Sequence, residues 1–219
     1  MKLEFFTDKN IYPEALSVFQ TFEKMKQLEL YFHHSSSSQW EITCESLKFP
    51  SSLESLSITL LAYKHFIHIP EKKTKFPVSG LTNLTSFTFA AETSSSPFSD
   101  YALELINDAL LDLKHTRLQS LNISVGRVFS HPLTESSVVN EIMASILEFT
   151  QLNNLRLELP YNPQKSEHSK KLEALKSLFI IDMDSNILSS YLTFQGLITL
   201  SYEFPSQIEN PTKFHKNFI

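Results

Sequence analysis

Apolar residues recur along the chain in a short pattern, apolar-x-x-apolar-x-apolar, set among polar positions. It reads Met25-Lys-Gln-Leu28-Glu-Leu30, Leu53-Glu-Ser-Leu56-Ser-Ile58, Leu84-Thr-Ser-Phe87-Thr-Phe89 and Leu118-Gln-Ser-Leu121-Asn-Ile123 in the first part of the chain. It continues as Leu152-Asn-Asn-Leu155-Arg-Leu157, Leu175-Lys-Ser-Leu178-Phe-Ile180 and Leu197-Ile-Thr-Leu200-Ser-Tyr202. The middle residues are 28, 56, 87, 121, 155, 178 and 200, so the spacing runs 28, 31, 34, 34, 23 and 22. Each occurrence alternates apolar and polar at its end, the period of a strand with one buried face and one open face. Leu3-Glu-Phe5 already reads as strand ahead of the first occurrence.

The segments between carry a different period. Leu103, Ile106, Leu110 and Leu113 fall at i, i+3, i+7 and i+10, and Val139, Ile142, Ile146 and Phe149 repeat that spacing 36 residues later. Both predict amphipathic helices just ahead of a strand. Ser99 or Asp100 is the expected cap of the first, Thr134 or Ser136 of the second. Pro13 opens a similar segment, with Ala15, Val18 and Phe22 on one face. Strands joined by helical returns pair parallel. Parallel strands ~4.8 Å apart, backed by bulkier helices, bend into an arc; seven of them make a concave sheet roughly 30 Å wide. An ordinary α/β arrangement also alternates strand and helix, but the ordered recurrence of one pattern favours repeats.

On these occurrences the chain resembles the leucine-rich repeat family from Met25 to Phe204. The mean spacing of about 29 residues lies at the upper edge of that family's range. The resemblance implies an α/β fold: a curved leucine-rich-repeat solenoid with a parallel concave sheet and helices on the convex side. Residues 1–219 then form one domain, with about seven irregular repeats over 25–204 and a polar, helix-poor tail at 205–219. Phe49-Pro-Ser-Ser-Leu53-Glu-Ser-Leu56-Ser-Ile58 is also similar to repeat openings of some fungal and protist proteins. Many of those carry an F-box and serve as substrate receptors of ubiquitin ligases, although no F-box-like N-terminal segment is found here. Where the family sets Asn or Cys after the motif, this chain has His33, Leu61, Glu92, Gly126, Pro160, Met183 and Pro205. Its turns must therefore be satisfied by other groups. Neither end shows a clear polar-faced cap, so self-association or a longer parent chain is expected.

Composition narrows the function classes. Apolar residues make up 42% of the 219, a globular composition. Three glycines argue against Gly-rich phosphate loops, and eighteen phenylalanines against a thin core. The net charge is −5 and the densest basic stretch, Glu71-Lys-Lys-Thr-Lys75, is short, so nucleic acid is not an expected partner. Cys44 is the single cysteine, which leaves no intrachain disulfide. No apolar run reaches the ~20 residues of a membrane span, and the start lacks a signal-peptide pattern. A soluble protein of the cytoplasm or nucleus is the expectation, away from membranes. Asn83-Leu-Thr85 and Asn122-Ile-Ser124 match the glycosylation pattern, which carries no meaning without secretion.

The candidate chemistry is sparse. Cys44 reads as a small hydrophobe rather than a nucleophile. His65 and His68 have a spacing for zinc on a helix, but no third ligand is suitably placed, and Phe66, Ile67 and Ile69 suggest an extended segment. The pair His33-His34 adds no ligand set. Asp182 and Asp184 share a strand face and read as caps for a helix through Ile187, Leu188, Tyr191 and Leu192. The serine tracts at 35–38 and 94–96 read as solvated loops. No catalytic residue, metal or cofactor is expected.

Binding is the remaining class. The open face of the strands carries one row, Glu29, Ser57, Thr88, Asn122, Arg156, Phe179 and Ser201, and beside it Tyr31, Thr59, Ala90, Ser124, Glu158, Ile181 and Glu203. Aromatic and Arg residues among small neighbours are typical of interface hot spots, and outward apolar residues call for a partner. Tyr31, Arg156, Glu158, Phe179 and Ile181 are the candidate partner-binding residues. A register error of one residue would bury them all. The expected function is a non-catalytic protein–protein interaction scaffold with a protein partner on the concave face. The alternatives are a ubiquitin-ligase substrate receptor, an ordinary α/β enzyme with a deep pocket, or a purely structural protein.

Overall fold

Residues 1–6, 17–34, 47–62, 75–93, 96–126, 135–160, 162–163, 172, 174–181, 197, 199–203 and 213–217 are described by a computed structural model. Each of the seven occurrences of the pattern contributes a strand, and Leu3-Glu-Phe5 contributes one ahead of them. The first are β1 (Lys2–Phe6), β2 (Gln27–His34), β3 (Ser55–Ala62), β4 (Ser86–Thr93) and β5 (Ser120–Val125). A two-residue β6 (Glu135–Ser136) precedes β7 (Asn154–Glu158) and β8 (Asn162–Pro163). The chain continues through β9 (Ser177–Ile181), β10 (Thr199–Glu203) and β11 (Lys213–Asn217). The helical elements are a 3-10 turn at Val18–Thr21, α1 (Ser96–Asp112) and α2 (Ser137–Ile146).

The main sheet has the order β1-β2-β3-β4-β5-β7-β9-β10-β11, and β6 pairs with β8 apart from it. Neighbours from β1 to β10 are parallel, and β11 returns antiparallel on β10. The architecture is α/β, with sheet neighbours following chain order. Register aligns the apolar positions into columns. Leu28, Leu56, Phe87, Leu121, Leu155 and Leu178 form one, and Leu30, Ile58, Phe89, Ile123, Leu157 and Ile180 the next, all of them buried. Phe32, Leu60, Ala91 and Val125 make a third. Each large aliphatic side chain so buried contributes roughly 1.5–3 kcal/mol.

One backbone joint recurs ahead of successive strands. The Lys26 carbonyl accepts from the N–H groups of Glu54 and Ser55 at 2.9 Å each, and Glu54 does the same for Thr85 and Ser86. Thr85 serves Gln119 and Ser120, Gln119 serves Asn153 and Asn154, and Asn153 serves Lys176 and Ser177. The accepting residue always follows the first apolar residue of the pattern; of these, Leu53, Leu84, Leu118 and Leu152 are buried and Met25 is half-buried. Side chains satisfy further turn carbonyls across this joint: Ser52 Oγ donates to Met25 O at 2.8 Å and Asn83 Nδ2 to Ser51 O at 3.0 Å. The turns ahead of β3 and β4 thus use hydroxyl and amide donors.

The helices lie on the core face. Leu103, Ile106, Leu110 and Leu113 of the first helical pattern are buried with the strand columns in one cluster, as are Val139, Ile142, Ile146 and Phe149 of the second. α1 contacts β4, β5 and α2, and Asn107 Nδ2 donates to Glu141 Oε2 at 2.7 Å between the helices. Phe76 meets Phe89 edge to face at 5.9 Å, a pairing worth about 0.5–1.5 kcal/mol beyond its buried area.

Several expectations are corrected. α1 begins at Ser96, so Ser99 lies in its first turn and Asp100 just beyond it, neither of them at its cap. Buried Ser99 instead donates from Oγ to Gly126 O at 3.1 Å. Ser136 does hold the extended N-cap position of α2, but its side chain makes no cap bond. In the first helical segment Phe19 is buried while Val18 and Phe22 are exposed, because a 3-10 turn has a tighter period than the α-helix assumed. His33, Leu61 and Glu92 are not turn residues: they pair in register within β2, β3 and β4. With no Asn side chain to bend the chain there, the ladder simply runs on. The polar tail supplies β11. Cys44, His65, His68, Asp182, Asp184, Met183, Pro205, Thr134, Pro13, Ala15 and the serine tract 35–38 lie outside the described residues.

Candidate partner-binding surface

Alternation along each strand sends the residues between the buried columns to the opposite, open face. Pairing aligns Lys2, Glu29, Ser57, Thr88, Asn122, Arg156, Phe179 and Ser201 in a single row across eight strands. A second row holds Tyr31, Thr59, Ala90, Ser124, Glu158 and Ile181. A third, on the N-terminal side, is almost wholly hydroxyl and amide: Gln27, Ser55, Ser86, Ser120, Asn154, Ser177 and Thr199. No helix residue enters the rows, since α1 and α2 pack with the buried columns.

Four of the five candidate residues come together. Arg156 stands opposite Phe179, and Glu158 opposite Ile181, on neighbouring β7 and β9. The Arg156 guanidinium carbon lies 4.2 Å from the centre of the Phe179 ring. Such stacking is worth about 0.5–1 kcal/mol at an exposed site, and it leaves the in-plane N–H groups able to bind a planar acceptor. Arg156 is exposed, whereas Phe179, Ile181 and Glu158 are half-buried. Glu158 Oε2 accepts from Ser124 Oγ at 2.7 Å, which holds that carboxylate over β5 rather than against Arg156.

Tyr31 is placed apart from these four. It lies on β2, with β3, β4 and β5 between it and β7, a separation of roughly 19 Å at the usual strand spacing. Its partner is Lys2, whose Nζ sits 4.3 Å from the ring centre. The open face therefore carries a cation on an aromatic ring towards each end, with a neutral stretch of Ser57, Thr59, Thr88, Ala90, Asn122 and Ser124 between.

Three contributors were not among the candidates. Lys2 was identifiable as the residue two before Glu4 in the strand that Leu3-Glu-Phe5 signals. Ser124 and Asn122 stood in the rows, yet only three-dimensional placement shows what they do. Asn122 is half-buried, and its Oδ1 is buried without a hydrogen-bond partner. Leaving such an acceptor unpaired costs about 1–3 kcal/mol. Among the described residues no group of three or more His, Cys, Asp or Glu is placed to hold a metal ion, and no helix is long and apolar enough to cross a membrane. No family model, curated protein or solved structure matches this chain.

Proposed function

We propose that the chain is a divergent leucine-rich-repeat-type solenoid acting as a non-catalytic protein–protein interaction scaffold, with a protein partner seated on the open face of its sheet. One observation carries this reading. The core takes one face of the sheet and both described helices, while the other face keeps in-register rows that include exposed Arg156 stacked on half-buried Phe179, beside half-buried Ile181. Aromatic and Arg residues amid small polar neighbours match the composition of interface hot spots. The recurring backbone joint supports the repeat reading, because the same carbonyl position links each strand to the next. The middle of the face offers hydroxyls and an amide spread along a sheet, not titratable groups converging in a cleft, which favours binding over acid–base chemistry. The protein is proposed to work in the cytoplasm or nucleus, without a cofactor.

Affinity capture from cell lysate tests the reading, comparing wild type with an Arg156→Glu, Phe179→Ser double variant whose circular dichroism is unchanged. A partner recovered at least tenfold less with the variant is the expected outcome. Equal recovery would overturn the placement of the interface. A cullin adaptor among the lost partners would redirect the reading to a ubiquitin-ligase receptor.

A further inference from the structure

We infer that the protein docked on the open face is a second copy of this chain, related to the first by a two-fold axis that runs along β4. This deepens the docking-face reading and rests on it. The strands two places to either side of β4 carry complementary groups. On β2 stand Gln27, Glu29 and Tyr31, and in the same three rows on β7 stand Asn154, Arg156 and Glu158. Turning one copy about β4 onto another lays β2 of each over β7 of the other. Amide then meets amide, the Glu29 carboxylate meets the Arg156 guanidinium, and the Tyr31 phenol meets the Glu158 carboxylate. Glu29 and Arg156 are both exposed, and neither has an ion-pair partner among the described residues. Stacking on Phe179 restrains the guanidinium, so little side-chain freedom is lost when the copies meet.

Other placements match charge less well. An axis along β3 or β5 leaves both Glu29 and Arg156 without an opposite charge in their row. An axis across the strands sets Arg156 against Glu158, whose carboxylate is already turned to Ser124, and leaves Glu29 without a cation. The bulky side chains of this face stand at its flanks, and Ser57, Thr88 and Ala90 lie between them. Contact at the flanks leaves the middle to bridging water, as two concave faces require. Glu92, exposed at the end of β4, faces its own copy across that water, which screens the repulsion. From β1 to β9 the face spans seven strands, roughly 30 Å by 17 Å at the usual spacings, or about 500 Å² on each copy. An area of that size makes a weak, reversible dimer in the micromolar range.

Sedimentation velocity of the full-length protein, from low to high micromolar concentration, tests this. Wild type is expected to pass from monomer to dimer. Glu29→Arg and Arg156→Glu, each checked by circular dichroism to keep the fold, should each weaken the dimer about tenfold or more, because each sets like charges together. Mixed in equal amounts, the two variants should dimerise again, since each supplies the charge that the other lacks. A monomer at every concentration would overturn the second copy and leave the docking face to a different protein, which capture from lysate detects. A dimer that neither substitution weakens would put the contact elsewhere and overturn the inference. Weakening by Arg156→Glu alone, or no recovery on mixing, would overturn the axis along β4.

Discussion

Phe89 and Thr88 are neighbours in β4 with opposite surroundings. Phe89 is fully buried against Phe76, whereas Thr88 sits half-buried on the open face between Ser57 and Asn122. Truncating the first leaves a cavity that the sheet cannot close, and truncating the second leaves none. Phe89→Ala is expected to lower unfolding free energy by about 3–5 kcal/mol, and Thr88→Ala by no more than about 0.5 kcal/mol, by urea denaturation. Equal effects would mean that the register is wrong. Ser124→Ala removes the 2.7 Å bond to Glu158 and is expected to cost about 0.5–1.5 kcal/mol in the same assay. At this scale the sequence was most legible where alternation alone decides: it told which face Arg156, Glu158, Phe179 and Ile181 occupy. It was silent on which open-face residues meet, since the stacking of Arg156 and the hydrogen bond of Glu158 depend on rotamers and cross-strand neighbours.

β3, β4, β5, β7 and β9 each begin from the same joint, a carbonyl of one strand's approach accepting from two successive N–H groups of the next. The Ser86 N–H is one such donor, 3.0 Å from Glu54 O, and Ser86 opens β4. Ser86→Pro deletes this donor and should destabilise by about 1–3 kcal/mol. A smaller loss in chemical denaturation would show that the joint is dispensable. Strands and both long helices were readable because each carries a strong period over many residues, 2 or 3.6. The segment around Phe19 was not, because four residues of 3-10 helix impose a different phase. The extra length of β2, β3 and β4 also escaped, since His33, Leu61 and Glu92 owe their strand pairing to one another rather than to any local preference.

Among the described residues, contacts run from each strand of the main sheet to its neighbour in chain order, as the proposed stack of repeats requires. Damage in such a stack stays local. Leu178→Ala in β9 is expected to speed amide hydrogen exchange in β9 and β10 while β3, β4 and β5 keep their protection. Uniform acceleration along the chain would point to a single cooperative core. Strand order was legible in advance because the pattern recurs in sequence. β11 was not, since Lys213-Phe-His-Lys-Asn217 is too polar to signal a strand and pairs antiparallel, outside the repeat. Placement of the partner on the open face is tested most directly by site-specific photo-crosslinking. One crosslinking residue replaces Thr88 at the centre of the open face, and another replaces Leu111, which is 40% exposed on α1 behind the core. A crosslinked protein from Thr88 and none from Leu111 is expected; crosslinking from Leu111 alone would place the interface on the helical side and contradict the proposal.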